Sequence, residues 1–342
     1  MGYASEKEQV KKKKTGIKKK LIWLSAVLVL VLVLCTAFLT ADSWVYRVGT
    51  PNTGTRNEGE MRIHFIDVGQ GDATLVELPD GKIMLIDGGN GTSSSNTALL
   101  RYFHALDIDT IDYLFLTHAD IDHYGGLTTV LEKKTVLRAF LPLSMETPST
   151  SYEKFFATLM QEECPYFYAC PPNSEHPEMK LSVTDGAYPY TLVVLYPYIQ
   201  TVDSGEKVQS DDNASSVVIW LDYQGTSVLL TGDSPSETET LLMRDSRLSL
   251  HERYGVDITS TEILKTAHHG SHLSSSAEFL EYIDVKTAVI SCGENNAYHH
   301  PSSETLARLQ TVGAQTYRTD TDGSVIITAL STGTYSVQTL GK

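Results

Sequence analysis

The sequence contains few cysteines and no cysteine spacing typical of a zinc site. Its four cysteines are Cys35, Cys164, Cys170 and Cys292. None of them lies in a Cys-x-x-Cys pair, so the spacing does not resemble that of a zinc–cysteine site. Cys164 and Cys170 flank five loop residues and could pair outside the cell. Cys292 follows an apolar run, and we expect a buried thiol there.

Basic residues are scarce outside the amino terminus. Residues 48–342 contain 18 Lys and Arg against 39 Asp and Glu, a net charge of −21, whereas the whole chain carries −15. An acidic surface is a poor non-specific binder of polyanions. The composition therefore speaks against tight, non-specific DNA binding, although local patches or metal ions could still admit a phosphodiester.

The sequence has no internal repeat and a single long apolar run, at residues 21–41. A run of about 21 residues is roughly 30 Å long as a helix, enough for a bilayer core. Eight lysines between Lys7 and Lys20 precede it, and lysines stay on the cytoplasmic side. We therefore expect a cytoplasmic basic segment at 1–20, a transmembrane helix at 21–41 and the remainder outside the membrane.

A cleavable signal peptide is the alternative, and the protein would then be secreted. Leu39-Thr40-Ala41 is a tolerable cleavage site, but the apolar run is long for a signal peptide, which favours an uncleaved anchor. Leu34 is too large for the position before a lipidated cysteine. Gly, Asn, Thr and Pro are frequent next, so residues 42–60 are expected to form a linker before a domain at 61–342.

The region between the linker and residue 205 contains two kinds of pattern. Short apolar runs separated by turn residues predict β-β-β-α-β between residues 61 and 116. Residues 144–205 contain clusters of proline and aromatic residues and predict a loop-rich region, apart from a strand at 190–196. His176 lies there in a polar turn and is not expected to bind metal.

The most informative stretch is Leu114–Leu127, where a short apolar run ends in four side chains that can bind metal. These side chains are His118, Asp120, Asp122 and His123. The apolar run predicts a buried strand, and Gly125 and Gly126 permit a tight turn where a Cβ would obstruct. Neutral imidazole and carboxylate together suit a divalent ion such as zinc, manganese or iron.

This stretch resembles the signature of the metallo-β-lactamase superfamily, whose usual form is His-x-His-x-Asp-His. Asp120 stands where the second histidine is usual. That replacement is familiar from the ComEC-type (DNA-internalisation, competence) subgroup and from choline-phosphate esterases of the superfamily. Further motifs of that subgroup occur in the subgroup's order, at 65–73 before this stretch and at 229–233, 267–271, 294–301 and 316–323 after it. The resemblance covers about residues 62–329.

The resemblance implies an α/β fold, the αβ/βα four-layer sandwich, and one or two divalent ions, Zn²⁺ or Mn²⁺. Asp233 would bridge two ions. One of His268 and His269 would be a ligand, because neighbours at a strand end point in opposite directions, and we prefer His268. The predicted metal ligands are His118, Asp120, Asp122, His123, Asp233 and His268, with His269 as the alternative.

The resemblance also implies residues that support the site. Asp67 would orient the metal-binding loop, and Asp72 would support it from the same turn. Asn213 and Ser215 lie where most two-ion members have a further histidine. The occupancy of one ion position is therefore open, and oxygen-rich ligation would shift the preference toward manganese.

Three residues are candidates for catalysis. Asp120 or Asp122 would accept a proton from the attacking water. His300 would donate a proton to the leaving oxygen or bind a substrate phosphate, unless it is simply a surface histidine. An ion with an open position lowers the pKa of bound water from about 15.7 to around 7, which supplies hydroxide near neutral pH.

These features predict a membrane-anchored, extracytoplasmic, metal-dependent hydrolase, most similar to a phosphodiesterase or nuclease acting on DNA. One alternative keeps the fold but acts on cell-wall choline phosphate or teichoic acid, or on a lactone. The alternative from another class is a surface binding or scaffold protein with a weakened site. No run of many membrane helices follows, so we expect a free-standing domain rather than a full competence channel.

Overall fold

The computed structural model describes residues 2–39, 46–142, 149–172, 179–183, 186–197, 212–245 and 250–342. The chain divides into two compact units, Met1–Thr50 and Pro51–Lys342. The first unit contains helix α1 (Gly2–Leu39). Its segment Lys18–Thr36 is long and apolar enough to cross a membrane, a criterion that a signal sequence also meets. The alternative cleavage site at Thr40-Ala41 lies outside the described residues.

The second unit consists mainly of short strands. In chain order they are β1 (Met61–Phe65), β2 (Thr74–Glu77), β3 (Ile83–Ile86), β4 (Thr110–Ile111), β5 (Tyr113–Phe115), β6 (Thr135–Val136), β7 (Ala139–Leu141), β8 (Tyr166–Tyr168), β9 (Lys180–Val183), β10 (Tyr190–Tyr196), β11 (Val218–Tyr223), β12 (Thr226–Leu230), β13 (Ile263–Lys265), β14 (Thr287–Ile290), β15 (Gln315–Arg318), β16 (Val325–Ala329) and β17 (Tyr335–Thr339).

Helices occupy the connections between these strands. They are α2 (Ser93–Ala105), α3 (Ile121–Tyr124), α4 (Leu127–Lys133), α5 (Thr150–Gln161), α6 (Ser236–Asp245), α7 (His251–Tyr254), α8 (Ala277–Ile283), α9 (Ser303–Thr311) and α10 (Thr319–Asp322). Short 3₁₀ helices in the described part of the chain are Asp212–Ser215, Ile258–Ser260 and His268–Gly270.

The strands form two mixed sheets and a small β4–β6 pair. Among the described residues, the first sheet has the order β17-β16-β1-β2-β3-β5-β7-β8 and the second β15-β14-β13-β12-β11-β10-β9. Strands β3, β5, β7 and β8 are parallel in the first sheet, as are β12 to β15 in the second. Parallel strands end on the same edge of a sheet, and loops at that edge are where ligands bind in open α/β sheets.

The main core lies between the two sheets, because alternate residues of a strand point to the same face. Ile63 of β1 and Ile219 and Leu221 of β11 belong to one buried apolar cluster. The intervening residues Val218 and Trp220 belong instead to a second cluster, together with residues of α6, α8 and α9. Helices therefore cover the outer face of the second sheet.

The outer face of the first sheet is also covered by a helix. His64 of β1 is fully buried there, and its Nδ1 lies 3.0 Å from the hydroxyl oxygen of Tyr102 on α2. Two sheets packed face to face with helices outside confirm the predicted αβ/βα four-layer sandwich.

The prediction of a loop-rich region at residues 144–205 is wrong, because that region contains α5, β8 and β9 beside the predicted strand at 190–196. Helix α5 buries Tyr152, Phe155 and Leu159, and Ser149 caps it by accepting a hydrogen bond from the Tyr152 amide over 3.2 Å. The frequent aromatic and proline residues around the helix obscure this spacing. Strand β17 is also missing from the sequence prediction, and His176 lies outside the described residues.

Candidate metal centre

The strands of both sheets end at one edge, and most of the predicted ligands follow these ends. They are His118 after β5, Asp122 and His123 on α3, Asp233 after β12, and His268 and His269 after β13. The backbone joins the two sheets at this edge, since the Val217 amide donates to the carbonyl oxygen of Thr117 over 2.9 Å. The sheet packing therefore brings together residues that are far apart in the chain.

Among the four groups of described side chains that have the spacing of metal ligands, two adjoining ones consist entirely of predicted ligands. The ligand atoms of His118, His123 and Asp233 all lie within 4.8 Å of one another, and so do those of Asp122, His123 and His269. Asp233 Oδ2 is 3.4 Å from Nε2 of His123 and 3.4 Å from Nε2 of His269. Nε2 of His269 is 3.1 Å from Oδ2 of Asp122. Asp233 therefore lies between the histidines of the two groups.

The imidazole nitrogens at this centre fit a cation. The buried Nε2 atoms of His118, His123 and His269 make no hydrogen bond, and neither does Oδ1 of Asp233. A buried polar atom without a partner costs about 1–3 kcal/mol, so four such atoms in two adjoining groups are unusual. Imidazole and carboxylate are ligands of zinc, manganese and iron, and divalent ions bound in the two groups would satisfy the three Nε2 atoms.

His269, rather than His268, belongs to these groups. The backbone of His269 has a positive φ of 51°, and its Nδ1 donates to the carbonyl oxygen of Ser291 over 2.8 Å. This bond directs Nε2 toward the centre, as the outer hydrogen bond of a metal-binding histidine does. His268 is more exposed, and its Nε2 is 3.8 Å from Oδ2 of Asp233.

Asp120 lies at the rim of the centre. Its side chain is 46% exposed, and its Oδ2 is 3.5 Å from Nε2 of His118. The neighbouring His118 imidazole lowers the pKa of Asp120 below its ordinary value. Asp120 is therefore ionised beside His118, on the solvent side of the buried ligands.

His123 is held from behind by Asp87, which the sequence analysis did not identify. Asp87 Oδ2 is 2.8 Å from Nδ1 of His123, and the carboxylate also accepts hydrogen bonds from the amide and the hydroxyl of Thr117, each over 2.8 Å. The available signal was the position of Asp87-Gly88-Gly89 directly after a predicted strand. Among the described residues, Asp67 contacts the Gly69 amide and the Lys342 ammonium rather than a candidate ligand.

Asp72 lies beneath the centre, as a supporting residue would. Its carboxylate oxygens are 3.8 Å from Nδ1 of His123 and 3.7 Å from Nδ1 of His269. It forms an ion pair with Lys265, a buried lysine that the sequence analysis also missed. A lysine at the end of an otherwise apolar strand was the available signal.

Ser216 supports the Asp233 loop from the neighbouring strand connection. The Asp233 amide donates to Ser216 Oγ over 3.1 Å. The predicted supporting residues Asn213 and Ser215 lie immediately before it, in the 3₁₀ helix Asp212–Ser215. Gly232 has a φ of 53°, and a Cβ there would come within 3.0 Å of the Ser216 side chain, so this close approach requires glycine.

Nearby carboxylates outweigh the effect of burial on the pKa of the central histidines. Burial by itself lowers the pKa of His123 and of His269. Asp233 and Asp87 outweigh it and raise the pKa of His123 well above its ordinary value, and Asp233 with Asp72 raises that of His269 to about 9. Burial opposes ionisation of Asp233, but the histidines hold its pKa well below the ordinary range. The carboxylates of the centre therefore favour positive charge beside them, which a proton on an imidazole or a bound cation would supply.

His300 lies at the mouth of the centre, on the loop before α9. Its ring centroid is 5.5 Å from that of His268 and 6.3 Å from that of His269. Burial, with His268 and His269 beside it, lowers the pKa of His300 to about 4. Its imidazole is therefore neutral near pH 7 and can donate a hydrogen bond. Tyr298 stacks on it, with ring centroids 5.8 Å apart.

The chain is similar to several known proteins. Two curated relatives are ComE operon protein 3 of Bacillus subtilis, 30% identical over 79% of this chain and 33% of the relative, and competence protein ComA of Neisseria gonorrhoeae, 27% identical over 78% and 32%. The chain thus spans about a third of the length of these relatives. The solved structure of the metallo-β-lactamase fold protein YhfI from Bacillus subtilis aligns with a TM-score of 0.47 at 14% identity, covering 76% of this chain and 95% of that one.

The family match spans most of the domain that contains the centre. Residues 66–294 match the metallo-β-lactamase superfamily, and this range includes every residue of the two ligand groups. The chain therefore belongs to the metallo-β-lactamase superfamily and is related to competence proteins.

Proposed function

We propose that the chain is a membrane-anchored, extracytoplasmic, metal-dependent phosphodiesterase, with nucleic acid as its leading substrate class. The observation that carries the proposal is the presence of two adjoining ligand groups, His118 with His123 and Asp233, and Asp122 with His123 and His269, in which the buried Nε2 atoms lack hydrogen-bond partners. A divalent ion bound there, Zn²⁺ or Mn²⁺, would supply a water of lowered pKa and would polarise a phosphoryl oxygen.

The residues around this point have separate tasks in the proposed reaction. Asp122 reaches the open side of the centre with a 23% exposed side chain, and it accepts the proton of the attacking water. Asp120 holds a negative charge at the rim. His300, neutral near pH 7, donates a hydrogen bond to a phosphoryl oxygen or to the leaving oxygen. Hydrolysis by this route requires no serine or cysteine nucleophile.

The amino-terminal helix supports the proposed location. Segment Lys18–Thr36 is long and apolar enough to span a bilayer, and eight lysines lie between Lys7 and Lys20. Lysines flanking a membrane helix favour the cytoplasmic side, which directs the metal centre to the opposite side. Secretion after cleavage is the alternative.

The names of the relatives and one exposed ring support nucleic acid as the substrate. The relatives include proteins named for competence. Tyr298 is 67% exposed and continues the stack of His300 beside the centre. Stacking of a base on an aromatic side chain is worth about 1–3 kcal/mol and does not depend on a basic surface, which this acidic domain lacks.

The second candidate is a cell-wall phosphodiesterase that acts on teichoic acid or choline phosphate. The observation that favours choline phosphate is the net charge of −21 over residues 48–342, because an acidic surface repels a long polyanion such as DNA or teichoic acid but tolerates a small substrate with a cationic choline group. A lactonase uses the same centre. A scaffold protein with a weakened site would not need the complete set of converging ligands.

The test measures bound metal and hydrolysis of a chromogenic phosphodiester by the full-length chain. We expect Asp122→Ala to lower kcat/KM by about 10²-fold or more, because a positioned general base contributes on that scale. Asp109→Ala is the control, since Asp109 is 90% exposed and pairs only with Lys134 among its described ion pairs. A chain that binds metal but hydrolyses no phosphodiester would favour the scaffold reading.

The substrate class is tested by offering single-stranded DNA and teichoic acid side by side. We expect DNA to be hydrolysed, and Tyr298→Ala to lower kcat/KM for DNA by about tenfold, which corresponds to the loss of one stacked base. Hydrolysis of teichoic acid but not DNA would support the second candidate. An equal effect of Tyr298→Ala on both substrates would argue against base stacking.

A further inference from the structure

Lys265 places a positive charge in the floor of the candidate metal centre. It is the last residue of β13 and is only 4% exposed. Ile263, two residues earlier, belongs to the core between the sheets, and Lys265 points to the same face because alternate strand residues do. Lysine is almost never fully buried unless it is paired, so its partners indicate why it is there.

The ammonium group of Lys265 has a complete set of acceptors. A lysine ammonium has three N–H donors. Nζ donates to the carbonyl oxygens of Gly232 over 3.0 Å and Thr266 over 3.3 Å, and it forms an ion pair with Oδ2 of Asp72. Each donor therefore has a partner, and the charge is held at one place.

Lys265 contacts side chains that could otherwise bind a further ion. The ligand atoms of Asp72, Asp233 and His269 lie within 4.8 Å of one another, the same spacing as in the two groups described above. Lys265 is bound to Asp72, and its Nζ is 3.8 Å from Oδ1 of Asp233. The ammonium group of Lys265 thus supplies the positive charge that an ion would otherwise supply to this third group.

We infer that the Lys265 ammonium group pairs with Asp72 and keeps this carboxylate from binding a divalent ion. Lys265 thereby limits the number of divalent ions at the centre. Ions are confined to the side formed by His118, Asp122, His123, Asp233 and His269. Lys265 is a positioning residue, since it contacts neither substrate nor ion and acts through Asp72 and Asp233. The inference rests on the proposed metal centre and adds a reason for the number of divalent ions that the centre binds.

The test counts Mn²⁺ ions bound by the purified full-length chain after equilibrium dialysis. In Lys265→Met, Asp72 loses its cation, and we expect an additional Mn²⁺ per chain compared with the parent. A buried carboxylate without its partner is destabilising, so this variant should melt at a lower temperature in EDTA and gain more thermal stability from Mn²⁺. The double variant Lys265→Met/Asp72→Asn removes both charges and should bind the same number of ions as the parent.

Two further variants keep the test decisive. Lys286→Met removes an exposed lysine that pairs with Asp284, and it should leave the ion count unchanged. If Lys265→Met does not fold, the ion count of the single variant Asp72→Asn tests the inference. This count should equal that of the parent if Asp72 pairs with Lys265 rather than with an ion. An ion lost in Asp72→Asn, or no added ion in a folded Lys265→Met, would overturn the inference while leaving the metal centre in place. A parent chain that binds no Mn²⁺ would overturn both.

Discussion

At the scale of single residues, the side-chain types of the candidate metal ligands could be predicted from the sequence. Which of two neighbouring histidines faces the centre could not. The spacing of His118, Asp122 and His123 after an apolar run indicates a metal site, because local sequence determines a strand end and its turn. The choice between His268 and His269 depends on the Ser291 carbonyl oxygen, which is 22 residues away in the chain. No local pattern reports that contact.

Substitution of the two histidines separates their roles. We expect His269→Ala to weaken Mn²⁺ binding by at least about tenfold, because Nε2 of His269 is buried at the centre, and mutations even of outer-shell partners cost 10–100-fold. His268→Ala should have a smaller effect, since its Nε2 lies further from Asp233. Titration with Mn²⁺, followed by electron paramagnetic resonance, measures both. A larger loss in His268→Ala would reverse the assignment.

At the scale of elements, most strands could be predicted, because alternating apolar residues and turn chemistry are local features. The strand at Tyr190–Tyr196 was predicted with the bounds that the structure has. Helix α5 and strand β17 were not predicted. Strand β17 is partly exposed along its length, and it is defined by pairing with β16, so its own sequence contains little apolar alternation.

The contact between Asp87, after β3, and His123, on α3, leads to a testable prediction. Asp87→Asn should weaken Mn²⁺ binding by about 10–100-fold, because the carboxylate orients the imidazole of His123. Asp67→Asn is the matched control, since Asp67 contacts Gly69 and Lys342 instead. Equilibrium dialysis measures both variants, and an equal loss of binding would show that Asp67 supports the centre as strongly as Asp87.

At the scale of the whole molecule, the order of motifs indicated the family and its sandwich, while the contacts between sheets could not be predicted. Lys265 and Asp72 are separated by 193 positions and meet only because β13 and the loop after β1 face each other. Their ion pair is therefore a property of the packing between the sheets. The buried His64–Glu77 contact, in contrast, lies within the first sheet, between the neighbouring strands β1 and β2.

The His64 contact makes the stability of the domain depend on pH. Burial, opposed by Glu77, lowers the pKa of His64 below its ordinary value of 6.5. The unfolded chain then binds more protons at this position than the folded one, so this contribution to stability is present above about pH 6.5 and is lost as pH falls below it. His64→Gln should flatten the decline in the free energy of unfolding between pH 7 and 5, which urea titration in EDTA measures.

The exposed His104 on α2 provides the control for this pH dependence. His104→Gln should leave the slope of the parent unchanged, because the side chain is exposed in both states. If His64→Gln retained the full slope, the pH dependence would have to come from other groups.

The most direct test of the account is the metal content of the full-length chain after dialysis against Mn²⁺ or Zn²⁺. We predict that the parent retains at least one divalent ion per chain, and that Asp233→Ala, which removes the carboxylate between the histidines, loses it. A parent chain that retains no ion, or an ion that Asp233→Ala holds equally well, would contradict the assignment of a shared metal centre to these strand ends.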